Sequence, residues 1–467
     1  MVYDIIRAKK RSIMIKRKIS SRLEKFYEDG GKYALLVDGA RQVGKTYIIR
    51  EFAKTHYESF IEINFIKMKG AREIFENVED EQDILVKLST LSRGKLKKGN
   101  TLVFFDEVQK CPEAVTYIKF LVEEGSCHYV LSGSLLGVEL KNIRSVPVGF
   151  MDEVKMFPLD FEEFVEANGE SPELVGAAKA AWEERKPIAS VYHARLLKLF
   201  RLYLVVGGMP AVVQKYIDTH DISLVIREQK KILALYRRDI TQYDEENSLR
   251  IRAVFDRIPA ELNEKNKRFF ASSVMPGVKF ENLGDEFLWL KEAGVALQTV
   301  NVEEPKIPLK LAEKPNLFKL FSNDVGLLAA QYMNGIQLKI LNGEADINFG
   351  SVYENAVAQE LFAHGFELNY YDSNRHGEVD FVLEREGGVL PIEVKSGKHY
   401  KRHRALNRVM SERSYAIKEA VVFDDSTLKV ENRVFYAPIY MVMFIKKDVL
   451  PDKMIYTVGT PLEIGAV

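Results

Sequence analysis

Cysteine is nearly missing from this 467-residue chain, with Cys111 and Cys127 the only two. Two thiols cannot make a disulfide framework, and no His pair or metal-ligand spacing stands beside them. A reducing, cytoplasmic compartment is the natural expectation. No stretch reaches the roughly 18 apolar residues of a membrane span, so no membrane partner is expected. The N-terminal charges Arg7, Lys9, Lys10 and Arg11, then Lys16, Arg17 and Lys18, have no long apolar run behind them and do not read as a signal peptide. They suit either a solvated helix face or contact with a phosphate backbone. Charge of one sign is also lacking, since 67 Lys and Arg balance 67 Asp and Glu. Any nucleic-acid contact must therefore come from a local patch. Neither an internal repeat nor a low-complexity segment is visible.

What remains is an ordinary globular composition, 46% hydrophobic and 29% charged, long enough for about three folded units. A helix over 12–29 leads into an apolar strand at Tyr33–Val37. Phe60–Phe65, Leu102–Phe105 and Tyr129–Leu131 read as further strands with helical patterns between them. That alternation predicts an α/β fold with a parallel sheet flanked by helices. The expected domains are an N-terminal helix at 1–30, an α/β core at 31–160, a helical lid at 161–245 and a winged-helix-like unit at 246–335, with a small α/β block at 340–467. The winged helix rests on the order helix, helix, helix, hairpin. The helix carries Leu283, Phe287, Leu290 and Val295, and the hairpin reads "VALQTVNVEEPKIPLKL".

The first chemical motif is Gly39, four residues, then Gly44-Lys45-Thr46. Glycine lets the backbone curl so that its N–H groups face phosphate oxygens. Lys45 reaches the β- and γ-phosphates, Thr46 is a ligand for Mg²⁺, and the following helix points its positive end at the anion. The loop Gly39, Ala40, Arg41, Gln42, Val43, Gly44, Lys45 and Thr46, with Tyr47 after it, is thus expected to bind ATP. In "TLVFFDEVQKCP", Asp106 ends a buried strand and would hold Mg²⁺, and Glu107 would polarise the attacking water. Ser132 or Ser134, in "YVLSGSLLG", either senses the γ-phosphate or makes a turn. The strand Phe60–Phe65 suggests the class in which another strand lies between the P-loop strand and the Asp strand.

A second constellation lies near the C-terminus. Glu354 falls in a helical pattern, Asp380 in the strand Val379–Leu383, and Glu393 and Lys395 in Ile392–Lys395. Period-two geometry puts Glu393 and Lys395 on one face. Asp380 on a neighbouring strand would complete a two-carboxylate site for a second Mg²⁺ or a Mn²⁺, with Lys395 orienting water, the chemistry of phosphodiester hydrolysis. An exposed strand with a simple ion pair is the alternative. The basic run after it, with Lys398, Lys401, Arg402, Arg404 and Arg408, reads as a solvated helix or a DNA-phosphate groove. Tyr400 is its only aromatic.

Taken together, "GARQVGKT", "FFDEVQKCPE", "LSGSLLG", "FPLDFEEF", "VGGMPAVV", "YRRDI" and "IEVKSG" resemble, in order and spacing, the prokaryotic AAA-type ATPases of archaea and bacteria that carry a C-terminal domain of unknown function with a restriction-endonuclease-like fold. The resemblance spans nearly the whole chain. It implies ATP-dependent switching on an ATPase core with a helical lid, then a winged helix, then a nuclease-like module directed at DNA or another partner. Glu107 and Lys45 would be catalytic, Thr46 and Asp106 would hold Mg²⁺, and the nuclease-like signature falls on Glu354, Asp380, Glu393 and Lys395. An ATP-regulated endonuclease and a non-hydrolysing switch are the alternatives. Many relatives carry a basic residue where this chain has Phe150. Arg144, Arg237 or Arg238 would then have to substitute, in cis or across a homo-oligomer.

Overall fold

The computed structural model describes residues 15–91, 96–134, 149–243, 247–264, 268–269, 283–344, 350–396, 403–451 and 453–455. Arg7, Lys9, Lys10, Arg11, Arg144, Lys398, Tyr400, Lys401 and Arg402 lie outside the described residues.

The first sheet contains β1 (Ala34–Asp38), β2 (Ser59–Asn64), β3 (Thr101–Asp106), β4 (His128–Ser132) and β5 (Met151–Lys155) in the order β2-β3-β4-β1-β5. Every pairing is parallel. Alternate residues feed two cores, as the two-residue period of a strand requires. Leu35, Val37, Leu102 and Phe104 pack with helices α1 (Ser20–Glu28) and α2 (Lys45–His56). Ala34, Leu36, Val103 and Phe105 pack with α3 (Glu81–Leu91) and α4 (Pro112–Glu124). Phe104 and Phe105 are both fully buried, and each contributes about 1.5–3 kcal/mol of burial.

Three expectations need correction here. The intervening strand exists, but it is β4 that separates the P-loop strand from the Asp strand, and β2 lies at the edge. Sequence order alone does not determine order in a parallel sheet. The fifth strand, β5, was not anticipated, because its "MDEVK" edge carries only partly buried or exposed side chains and lacks an apolar run. Of the expected helix at 12–29, the described residues 15–19 are not helical, and the helix they lead into begins at Ser20. Residues 15–17 run without helix because Arg17 turns inward, donating from Nη1 to Val43 O at 3.0 Å and from Nη2 to Phe157 O at 2.6 Å.

Helices α5 (Phe161–Ala167), α6 (Pro172–Glu184), α7 (Ser190–Val206), α8 (Pro210–Thr219) and α9 (Ile222–Tyr243) follow. Then come α10 (Ser248–Glu261) and α11 (Gly284–Glu292), with Leu283, Phe287, Leu290 and Val295 all buried. The remaining elements are β6 (Ala296–Val302), β7 (Glu313–Ser322), α12 (Val325–Gln331), α13 (Ile336–Asn342), α14 (Gly350–Ala363), β8 (Asn369–Ser373), β9 (Gly377–Arg385), β10 (Gly388–Val394), α15 (Arg404–Ser411), β11 (Ala420–Asp424), β12 (Lys429–Glu431) and β13 (Val434–Pro438). The second sheet is mixed, in the order β12-β13-β11-β10-β9-β8-β6-β7.

The stretches expected as separate units at 246–335 and 340–467 both contribute strands to this sheet. The hairpin is β6 with β7, and it does not stand apart as a wing. β6 pairs in parallel with β8, and Asn301, 2% exposed, accepts the Asp372 N–H at 2.9 Å. A strand edge with unmet backbone groups is stabilised by a neighbour, and here a strand from much later in the chain supplies it.

A close three-way junction ties the units together. Asp324, fully buried, accepts the Gly208 N–H at 2.6 Å and caps α12 through the Leu327 N–H at 2.9 Å. Gly208 O in turn accepts the Leu159 N–H at 2.7 Å. A Cβ at Gly208 would sit 2.1 Å from Leu159 O, and one at Gly207 2.2 Å from an Asp324 carboxylate oxygen. The paired glycines of "VGGMP" are therefore a packing requirement. Among the described residues no single helix is long and apolar enough to cross a membrane.

Candidate functional site

The loop between β1 and α2 curls back on its own strand end. Gly39 has φ +149°, Gly44 has φ +98°, and a Cβ at Gly39 would lie 2.2 Å from Met156 O. Glycine at those two positions is thus set by backbone conformation and by close approach. Lys45, 9% exposed, donates to Gly39 O at 2.5 Å and Ala40 O at 2.9 Å. Burial lowers its pKa to about 8, opposed by the nearby Glu107, Asp38 and Asp106 carboxylates. Arg41, Gln42, Gly44, Lys45, Thr46 and Tyr47 face a cavity of about 720 Å³, whose other wall is built from Ile15, Arg17, Met156, Pro210, Ala211 and Gln214. Val43 is fully buried, and Gly39 and Ala40 line a second cavity of about 490 Å³ toward the C-terminal unit.

Three neighbouring strand ends converge on Asp106. In register, Asn64 and Ser132 flank it on β2 and β4. Ser132 Oγ donates to it at 2.6 Å and Asn64 Nδ2 at 2.8 Å, and Thr46 Oγ1 lies 3.2 and 3.3 Å from its two oxygens. Asn64 was not anticipated, although a polar residue ending β2 is the same signal that marked Ser132. Glu107 takes a left-handed conformation at φ +58°, which turns its carboxylate toward the same cavity. It accepts from Gln109 Nε2 at 2.6 Å and from Ser134 Oγ at 3.3 Å. Ser134 Oγ in turn accepts from Arg41 Nε at 3.1 Å, and the other end of Arg41 pairs with Asp239 on α9. Both serines therefore face acids of the site.

The expected substitutes for a missing basic residue fare differently. Arg237 pairs with Asp256 at 2.8 Å and stacks over Phe255, and Arg238 is exposed. Phe150 packs under Lys119, whose ammonium lies 5.2 Å from the ring centre. The cations that do border the cavity are Arg17, Arg41, Lys45, Arg50 and Lys67.

In the C-terminal unit, Glu354 lies on α14, Asp380 on β9 and Glu393 on β10, each at most 8% exposed. Lys395 pairs with Glu393, as the strand period requires, and Asp380 accepts the Val394 N–H at 2.8 Å. Burial, then the neighbouring Asp380, pushes Glu393 up to about 8. Sequence reasoning missed Lys319. It sits on β7 with no exposure and donates to Glu378 at 2.5 Å. Burial disfavours its charge, yet Glu378, Glu354 and Asp380 together hold its pKa above the usual lysine range. The ligand oxygens of Glu354, Asp380 and Glu393 do not close to within 4.8 Å as a set. The one such set among the described residues is Asp160, Glu360 and His364. The basic residues Lys16 and Lys18 are held in ion pairs with Glu166 and with Asp160 and Glu162.

A family model described as an AAA domain matches residues 31–165. Two further models, domains of unknown function DUF8612 and DUF4143, match residues 197–338 and 349–441. A search of curated proteins found no match to the chain. Among solved structures it is similar to the Walker-type ATPase PABY2304 of Pyrococcus abyssi, at 16% identity and TM-score 0.42, over 71% of this chain and 100% of that one. It is also similar to the Orc1 protein of Aeropyrum pernix in complex with DNA, at 12% identity and TM-score 0.30, over 69% and 94%. A third is Cdc6p of Pyrobaculum aerophilum, at 12% identity and TM-score 0.24, over 70% and 96%. At these scores the likeness assigns no activity to this chain.

Proposed function

We propose that this chain, whose residues 31–165 form an AAA-type P-loop domain, is a Mg²⁺-dependent ATPase whose nucleotide state is read by its C-terminal unit. The observation that carries the reading is the convergence of Lys45, Thr46, Asp106 and Glu107 on one wall of a 720 Å³ cavity. The oxygen donors Thr46 and Asp106, already 3.2 Å apart, fit a hard cation such as Mg²⁺. Thr46 and Asp106 would hold that ion, which when bound would offset the negative charge of the phosphates. Lys45 exchanges the carbonyls of Gly39 and Ala40 for phosphate oxygens. Glu107 orients a water and takes its proton as the water oxygen bonds to the γ-phosphorus. The bond from that phosphorus to the bridging oxygen breaks, and ADP leaves with the electron pair. Ser132 orients Asp106. Gly39 through Tyr47 form the phosphate cradle.

Nucleotide occupancy has a physical route outward. Arg41 links the cradle to Asp239 on α9, and Pro210 and Gln214 reach the cavity from the helix pinned by Gly208 and Asp324. A DNA- or partner-directed output through the C-terminal unit is the reading this route supports.

The endonuclease alternative draws on Glu393 Oε2, which is buried and has no hydrogen-bond partner. Against it stands Lys319, whose ammonium balances the surrounding acids without an ion. Two assays separate the readings. ATP turnover should vanish in Lys45→Ala and Glu107→Gln. Plasmid cleavage with Mg²⁺ or Mn²⁺, if it occurred and were lost in Asp380→Ala, would favour the nuclease. Nucleotide binding without either reaction would leave a switch.

A further inference from the structure

A cluster that does not line the nucleotide cavity is not used by that chemistry. Asp160 stands where the P-loop domain ends, just before α5. Glu360 lies on α14 and His364 directly follows its last residue, with the His364 N–H still donating to Glu360 O at 3.0 Å, so the two side chains fall one turn apart on the same side. His364 Nε2 is 3.6 Å from Asp160 Oδ2 and 3.8 Å from Glu360 Oε2. All three ligand atoms fall within 4.8 Å of one another. Around a tetrahedral ion with bonds of about 2.0–2.1 Å, ligand atoms lie about 3.3 Å apart, so the two pairs made by His364 need to close by only a few tenths of an ångström, and the two carboxylates draw together around the ion.

Two further features favour a cation. His364 Nδ1 lies 2.7 Å from Ile445 O, a group that only accepts. Nδ1 therefore carries the ring proton, and Nε2 turns its lone pair toward the two carboxylates, an arrangement that orients metal-binding histidines elsewhere. Glu360 has no exposed surface, and its Oε2 has no hydrogen-bond partner. Its other oxygen is satisfied by the Phe161 N–H at 2.6 Å and the Tyr203 hydroxyl at 3.1 Å. A buried carboxylate oxygen without a donor is met either by a proton, which burial and the neighbouring Asp160 favour here, or by a cation that takes the proton's place.

We propose that Asp160, Glu360 and His364 bind one divalent transition-metal ion of the Zn²⁺ class, clamping the end of the P-loop domain to the C-terminal unit. Imidazole with carboxylates selects Zn²⁺, Co²⁺ or Ni²⁺ over Mg²⁺. Two lysines compete for the same atoms. Lys446 Nζ is 2.8 Å from His364 Nε2, and Lys18 Nζ is 2.5 Å from both Asp160 Oδ2 and Glu162 Oε2. Lys446 is 47% exposed, so the arriving ion displaces it into water. Lys18 yields the Asp160 oxygen to the ion and stays paired with Glu162.

The test uses full-length protein stripped with EDTA and titrated with Co²⁺ in the absence of nucleotide. One equivalent should give the visible absorption of nitrogen-coordinated, low-symmetry Co²⁺, and Zn²⁺ should abolish that band and raise Tm. Glu360→Gln and His364→Ala should each lose the band and the Tm shift. Lys446→Ala should bind at least as tightly as wild type, and Asp106→Asn should keep the band, which separates this site from the cradle. The isosteric Glu360→Gln keeps the test open if His364→Ala fails to fold. A wild-type protein with no Co²⁺ band, or a band unchanged in both ligand variants, overturns the proposal.

Discussion

Gly208→Ala probes how tightly the units are joined. The added Cβ would lie 2.1 Å from Leu159 O and 2.7 Å from Leu159 N, both backbone atoms that no side-chain rotation can move. Overpacking of this kind costs about 1–3 kcal/mol. Separating the chains far enough to relieve it also stretches the 2.6 Å bond from Gly208 N–H to the Asp324 carboxylate, and hydrogen bonds to charged groups contribute about 1.5–3 kcal/mol. Together the loss should be about 2.5–6 kcal/mol. A matched control is Gly176→Ala, at an exposed position on α6 with nothing within 4 Å of the new Cβ, which should stabilise by about 0.4–1 kcal/mol. Urea titrations of both variants give the two numbers. Because Pro210 and Gln214 reach the nucleotide cavity from the helix just beyond Gly208, nucleotide affinity should also fall in Gly208→Ala and not in Gly176→Ala. A Gly208→Ala protein within about 1 kcal/mol of wild type would refute the argument that the junction has no room.

Other outcomes follow from single residues. Burial raises Asp324 to about 6 against the N–H donors of Gly208, Leu327 and Gly326. The folded chain then holds a proton that the unfolded chain has released. Stability should fall as pH rises from about 4 to 6, by about 1.4 kcal/mol per unit, and this slope should be missing from Asp324→Asn in denaturant titrations at both ends of the range. Lys319→Met should cost about 3–5 kcal/mol by leaving Glu378 and the neighbouring acids without their buried cation, whereas a mere surface ion pair would cost under about 1 kcal/mol, as thermal denaturation will distinguish. Arg41→Ala breaks the chain from Asp239 through Ser134 to Glu107, and ATP turnover should fall about tenfold or more with Lys45-dependent nucleotide binding retained. Unchanged turnover would remove Arg41 from the site.

The parts legible in sequence were those whose signal is local. The loop from Gly39 to Thr46 is one continuous motif, and β3 announces itself because both its faces are buried. What stayed hidden depends on distant partners. Arg17 folds inward because Glu163 and Phe157 await it, and no spacing rule connects them. The hairpin of β6 and β7 was read as a hairpin, but its neighbour β8 comes only after three intervening helices, so its place in the larger sheet stayed hidden. Lys319 looked like one more strand lysine. Only the fold brings Glu354, Glu378 and Asp380 around it, so the expected acids share their surroundings with a buried ammonium group. Conversely Asp160, in "FPLDFEEF", drew attention as part of a family motif, while its pairing with His364 appears only when α14 packs beside it.

The most direct test of the central claim is steady-state ATP hydrolysis by wild type and Glu107→Gln, with nucleotide binding measured on the same preparations. Removing a positioned general base should lower turnover by about 10²-fold or more while binding persists, because Lys45, Thr46 and Asp106 are untouched. Equal turnover in the two proteins would contradict the assignment of Glu107 and, with it, the account of this cavity as a hydrolytic site.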